Sequence, residues 1–202
     1  VTPRLPVDPR APEPGPIARG VAVLSRGGTV AFPTETFYGL GADARRDDAV
    51  ARVFAAKGRP EDKPLLVLVD SEASALALAA EVPEPARALM ARHWPGPLTL
   101  VFRARPELPA RLTAGTGTVG VRVPGHPVAL ALVRAAGCPV TAPSANPSGG
   151  PPPRTADEVQ AGLDGKIDLI LDGGATAGGQ PSTVADCTAW PPRILRQGAV
   201  RL

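Results

Sequence analysis

The sequence predicts an α/β fold, on three grounds. Segments with apolar residues at helical spacing alternate along the chain with short, almost continuous apolar runs such as LLVLV at 65–69. Gly and Pro sit mostly between these segments, where they bound elements instead of interrupting them. Three short strand-like runs crowd the C-terminal end, which argues against a simple repeated βαβ winding.

In order, the first sixteen residues, VTPRLPVDPRAPEPGP, hold six prolines and no periodic apolar pattern, and read as an extended or disordered tail. The folded domain is expected over 17–202. Ile17, Val21 and Leu24 recur at helical spacing until Gly27-Gly28, and TVAF at 29–32 follows as a buried strand. PTETFYGLGAD is too rich in Gly, Thr and Pro to predict a regular element. Asp47-Asp48 opens a helix that carries Lys57 near its C-terminal end, where the helix dipole favours a cation. LLVLV is the next strand, and SEASALALAAEV and PEPARALMARHW read as two helices.

LTLVFRA at 98–104 and TVGVRVP at 118–124 are further strands joined by a Pro-rich connection. A helix from His126 to Ala136 ends at Gly137. PVTAPSANPSGG passes from a short strand into a loop, and Thr155 and Glu158 have capping-box spacing at the start of another helix. IDLILDGG, STVADCT and RILRQG supply the last three strand candidates.

Composition narrows the function classes. The 202 residues carry a net charge of +3, a mild basic excess that suits anionic ligands such as nucleotides or RNA without demanding them. Cys138 and Cys187 lie far apart, no Cys-x-x-Cys occurs, and His93 and His126 are the only histidines, so neither a disulfide framework nor a zinc site is indicated. No apolar run reaches the ~20 residues that span a bilayer, and the N-terminus lacks the order of a secretory signal. A cytoplasmic protein with reduced thiols and no membrane association is expected.

Neither G-x-x-x-x-G-K-[ST] nor G-x-G-x-x-G is present, so a bound nucleotide would be held in another way. KGRPEDKP, 57–64, offers one. Two of the three lysines of an arginine-rich chain, Lys57 and Lys63, flank Arg59 in a segment stiffened by prolines, a set that either surrounds phosphates or is a solvated loop. Ser144 and Asn146, in APSANPSGG, are small hydrogen-bonding groups in a turn. Thr34 and Thr36 follow a strand, where α/β sheets form ligand crevices, or are simply a polar exit. Arg122 stands among apolar residues of a strand and needs an anionic partner, whether a core carboxylate or a small carboxylate ligand. With no Ser-His-Asp or Cys-His arrangement, an enzyme of this sequence would work by positioning and charge stabilisation, as phosphoryl and nucleotidyl transfers do.

Seven segments in order, GGTVAFPTETFYGLGADA, KGRPEDKPLLVLV, WPGPLTLVF, TVGVRVPGHP, APSANPSGGPPPRT, PSTVADCT and ILRQG, resemble the YrdC family, the bacterial threonylcarbamoyl-AMP synthases, over about 17–200. The resemblance implies a single domain with a twisted mixed sheet flanked by helices and a concave basic cleft. It implies an enzyme that joins L-threonine, bicarbonate and ATP, with Mg2+, into threonylcarbamoyl-adenylate and pyrophosphate. That product would pass to a downstream tRNA threonylcarbamoyl transferase complex, and tRNA itself is a further partner to test.

Carried over by motif, Lys57 and Arg59 take the catalytic role, and Lys57, Arg59, Lys63, Thr118, Ser144, Asn146, Pro152 and Arg196 surround ATP. Thr34, Thr36, Arg122, Ala142 and Ser182 hold threonine, with Arg122 on its carboxylate; no side-chain metal ligand is assigned. One branch of the family has histidine, beside the threonine, where this chain has Leu68, and carries an extra C-terminal domain. With RQG close to the end of the sequence, the short, single-domain form is expected. Rival readings are a YciO-like RNA-binding protein and the carbamoyl-transfer domain of hydrogenase-maturation proteins, with a protein that only buffers nucleotide last. The intact KxRxxxKP, SAN and RQG motifs favour the synthase over the first, and length and cysteine count oppose the second.

Overall fold

The computed structural model covers residues 1–202. Its elements run β1 (Arg4–Pro6), α1 (Pro14–Ser25), β2 (Val30–Pro33), β3 (Tyr38–Gly41), α2 (Asp47–Lys57), β4 (Leu66–Leu68), α3 (Glu72–Leu76) and α4 (Glu84–His93). They continue with β5 (Leu98–Arg103), α5 (Ala110–Thr113), β6 (Thr118–Arg122), α6 (Pro127–Ala136), β7 (Val140–Thr141), α7 (Ala156–Leu163), β8 (Leu169–Asp172), β9 (Thr183–Asp186) and β10 (Arg193–Arg196). The α/β class and the mixed strand directions match expectation, but the strands form two sheets, ordered β1-β8-β2-β3 and β10-β9-β5-β6-β4-β7.

Of the two readings of the proline-rich N-terminus, extended or disordered, the structure shows the extended one. β1 lies parallel to β8 at a sheet edge, with Ile170 N–H donating to Pro3 O and Val7 N–H to Asp172 O, both at 2.9 Å. An edge strand bonds on one side only, so Pro3 and Pro6 can sit there without an N–H. Arg4 adds an ion pair to Asp172 at 2.7 Å and another to Asp157, and Val7 is buried. Helix α1 therefore begins at Pro14, before the apolar periodicity at Ile17, because proline is tolerated in a first helical turn.

PTETFYGLGAD, read as irregular, is a hairpin. β2 and β3 pair antiparallel around a turn at 34–37, closed by Thr34 N–H to Phe37 O at 3.2 Å and by the Thr34 hydroxyl to the same oxygen at 2.7 Å. Gly41 makes the hairpin packable: a Cβ there would lie 2.7 Å from both Phe32 Cε1 and Val140 Cγ1. SEASALALAAEV forms only the short α3. Thr155 caps α7 as expected, accepting from Glu158 N–H at 3.2 Å, whereas the Glu158 carboxylate reaches back to Arg154 N–H instead of the cap residue's own.

Main-chain hydrogen bonds stitch the two sheets along the β3 edge: Leu40 N–H to Pro143 O, Ala145 N–H to Tyr38 O and Thr141 N–H to Ala42 O, at 2.8–3.0 Å. The largest apolar cluster draws on both sheets and includes Tyr38, Leu40, Phe54, Val67, Val121 and Ile170. Cys138 and Cys187 are buried free thiols, both pushed up to about 11 chiefly by burial, so neither is an activated thiolate.

Candidate active site

A cleft of about 490 Å³ opens over one face of the larger sheet, within the size range of small-molecule sites. Strand alternation builds its floor. TVGVR turns Thr118, Gly120 and Arg122 to the cleft and Val119 and Val121 to the core. LTLVF likewise presents Thr99 and Val101 while Leu98, Leu100 and Phe102 pack behind, and β9 contributes Val184 next to Ser182. The hairpin turn brings Thr34 and Thr36 to one wall, the segment after β7 brings Ala142 and Ser144, and β10 brings Leu195 and Arg196.

The registers set two ends to this floor. Leu66 is level with Gly120 in the parallel β4–β6 pair, so Pro64 lies toward Thr118. Arg59 donates to Pro64 O at 3.0 Å and to Lys63 O at 3.2 Å, which puts its guanidinium at the Thr118 end. Arg122 is four residues along β6, about 13 Å away at the usual strand rise. Thr99 and Ser182 accompany it, with hydroxyls 3.1 Å apart. Arg196 grips Ser182 there, Nε to its carbonyl at 3.0 Å and Nη2 to its hydroxyl at 2.9 Å. Thr34 and Thr36 form a second hydroxyl pair at 3.0 Å.

Arg122 is the most constrained charge in the cleft. Its side chain is 4% exposed, its Nε has no hydrogen-bond partner, and the one carboxylate near it is Glu35, 3.8 Å from Nη1. Burial pushes this guanidinium below its ordinary value, and Glu35 opposes the shift. An arginine kept buried with an unmade hydrogen bond is poised for an anion.

The expected site residues divide by location. Thr34, Thr36, Arg59, Thr118, Arg122, Ala142, Ser144, Pro152, Ser182 and Arg196 line the cleft together. Lys57, Lys63 and Asn146 are not on its wall. Lys63 is exposed on the 57–64 loop. Lys57 is buried behind the 144–146 segment, its ammonium donating at 2.6 Å to both Ser144 O and Asn146 O. Burial, and then the Arg59 charge, push it down to about 8. The Asn146 amide donates to Pro147 O and Gly150 O, both at 2.8 Å, and holds the turn.

Leu68 is wholly buried in the core and does not face the cleft; Leu66 does. His126 caps α6, its Nδ1 accepting from Val128 N–H at 3.2 Å. Thr99 and Leu195 were not anticipated. The alternation of LTLVF could have revealed Thr99, whereas Leu195, on an exposed strand edge, left no signal.

A family model for the Sua5/YciO/YrdC proteins, described as "Telomere recombination", matches residues 22–198. The chain belongs to this family. A threonylcarbamoyl-AMP synthase of Bacillus subtilis is 49% identical over 185 residues, which cover 91% of this chain and 54% of the relative. Sua5 of P. abyssi, solved in complex with L-threonine, superposes with a TM-score of 0.94 at 47% identity, covering 98% of this chain and 58% of that one. E. coli YciO superposes at 0.89 with 28% identity over 98% of this chain and 96% of its own. The chain spans about half the length of the first curated family members it matches.

Proposed function

We propose that the cleft makes threonylcarbamoyl-adenylate from L-threonine, bicarbonate and ATP, releasing pyrophosphate, as an early step in forming threonylcarbamoyladenosine in tRNA. The observation that carries this reading is the floor of β6. A buried guanidinium with an unmade hydrogen bond stands at one end, and Thr118 with Arg59 at the other, so an amino acid carboxylate and a nucleotide can lie along a single strand. The identity to a curated threonylcarbamoyl-AMP synthase exceeds that to YciO, 49% against 28%, and supports the synthase over an RNA-binding protein.

In this reading Arg122 binds the threonine carboxylate, Ser182 and the backbone at Ala142 flank it, and Thr34 and Thr36 face its hydroxyl. The threonine amine, once deprotonated, takes up carbon dioxide drawn from bicarbonate. A carbamate oxygen then bonds to the α-phosphorus as the bond to pyrophosphate breaks. Arg59 and Lys63, with Lys57 behind them, stabilise the leaving charge, and Ser144 and Pro152 shape the pocket around the nucleotide, while Arg196, assigned to ATP by motif, sits instead beside Ser182 at the Arg122 end. No Asp or Glu lines the cleft, so its wall offers Mg2+ no carboxylate, and the ion would enter on the ATP phosphates. A transferase complex that moves the threonylcarbamoyl group to tRNA is the natural consumer of the product.

The test is pyrophosphate release by purified protein with ATP, magnesium and bicarbonate, with and without L-threonine and with serine as control. Release that needs both threonine and bicarbonate is the expected result. No release by folded protein that still binds tRNA would replace the synthase with the RNA-binding reading.

A further inference from the structure

Glu35 lies between the two threonines of the hairpin turn, yet its carboxylate is not part of the cleft wall. Both of its oxygens are sealed from solvent and neither accepts a hydrogen bond. A Cβ at Gly125 would lie 3.8 Å from its Cδ and 3.5 Å from the Gly96 Cα, so the two glycine turns of WPGP and PGHP enclose it. Its nearest charged group is Arg122, at 3.8 Å: close enough to neutralise the guanidinium, too far to occupy its donors. A carboxylate left without hydrogen bonds is costly to bury, so its placement calls for an electrostatic reason.

The reason lies in what else the cleft must bind. Arg196 sits at the same end as Arg122, and burial, then the Arg122 charge, push it below its ordinary value. A pair of guanidiniums beside the hydroxyls of Thr99 and Ser182 is by itself a good phosphate site. In a cleft that must also admit a polyphosphate, this end would then capture phosphate in place of an amino acid. A fixed negative charge behind Arg122 lowers the attraction for a multiply charged anion far more than for a zwitterion, whose net charge is zero, while leaving the Arg122 N–H groups free.

We propose that Glu35 is a specificity-determining positioning residue that keeps the Arg122 end of the cleft selective for a zwitterionic amino acid and closed to phosphate. This rests on the reading of that end as the threonine site. It assigns Glu35 no contact with substrate; it acts through Arg122.

The experiment is equilibrium binding of L-threonine to the full chain, at constant ionic strength and increasing inorganic phosphate, for the wild type, Glu35→Gln and Glu35→Asp. In the wild type, phosphate is expected to leave the threonine Kd within twofold. In Glu35→Gln it should compete, with an inhibition constant at least tenfold below any seen in the wild type, and Glu35→Asp, which keeps the charge, should behave as the wild type does. Equal competition in Gln and Asp variants would make the effect one of shape and overturn the proposal, as would a Gln variant as indifferent to phosphate as the wild type. Displacement of threonine by phosphate from the wild type would overturn it even if the Gln variant did not fold. Failure of the wild type to bind threonine at all would instead sink the synthase reading itself.

Discussion

Arg196 holds Ser182 by two hydrogen bonds, from Nε to its carbonyl and from Nη2 to its hydroxyl, so an edge strand fixes the rotamer of a group on the cleft floor. With Arg196 donating to it, the Ser182 oxygen is an acceptor, and its own proton is free for Thr99 or for a ligand. Arg196→Ala removes a charge-assisted bond worth about 1.5 kcal/mol at the low end, as suits a partly solvated site, and should raise the threonine KM about tenfold. Steady-state kinetics with threonine varied at saturating ATP checks this. An unchanged threonine KM would mean that the Ser182 rotamer does not depend on Arg196.

Arg122→Ala should separate the two ligands. Truncating one partner of a buried charge-assisted pair costs about 2–5 kcal/mol, so threonine binding should weaken at least about thirtyfold. ATP, which the proposed function puts at the other end of β6, should keep its affinity. The variant also leaves the buried Glu35 carboxylate without its nearest cation, so its unfolding free energy should fall. Calorimetric titration with each ligand, beside a urea melt, reads all three quantities, and equal losses of threonine and ATP would contradict the division of roles.

Lys57 makes a prediction about pH with two opposite signs. Its proton leaves near pH 8 in the folded chain and near its ordinary 10.5 in the unfolded one. Between those values the unfolded chain binds more protons, so stability attributable to this residue rises with pH across about 8 to 10.5 and is flat below. Neutral Lys57, however, no longer offsets phosphate charge, so the ATP KM should climb above about pH 8. Lys57→Met should show a higher ATP KM that is flat over the same range and should lack the alkaline gain in stability. Parallel pH profiles in variant and wild type would remove Lys57 from the phosphate site.

The sequence showed the site more clearly than the chain path that builds it. Alternation in TVGVRVP singles out Arg122 as a charge on an otherwise apolar strand, and it is the buried cation at the end of the floor. The two hydroxyls of PTET were legible as chemistry but not as a hairpin turn, because Gly39 and Gly41 lower strand propensity, and Gly41 is there to let Phe32 and Val140 approach. Composition left two readings open at the N-terminus, since six prolines argue for disorder unless an edge strand and two ion pairs of Arg4 await them, and those partners lie more than 150 residues away. Lys57 was legible as a cation but not as a buried one, because its partners are main-chain oxygens with no mark in sequence.

The glycine of RQG carries the last prediction. A Cβ on Gly198 would lie 2.2 Å from Pro181 O and 2.6 Å from the Ser182 carbonyl carbon, both main-chain atoms that cannot rotate away. Gly198 N–H donates to the Thr183 hydroxyl at 3.0 Å, and that hydroxyl also donates to Val200 O, so the segment after β10 is laid flat against β9. Gly198→Ala must lift that segment, and with it the Arg196 guanidinium, from Ser182. Overpacking of this kind costs about 1–3 kcal/mol. The threonine KM should rise together with the loss of stability, whereas Gly115→Ala, at a glycine with no atom within 4 Å of the added Cβ but with φ of 69°, should cost stability alone. Thermal melts beside threonine titrations distinguish the two. A Gly198→Ala protein with wild-type threonine binding would show that the contact fastens the C-terminal segment without shaping the cleft.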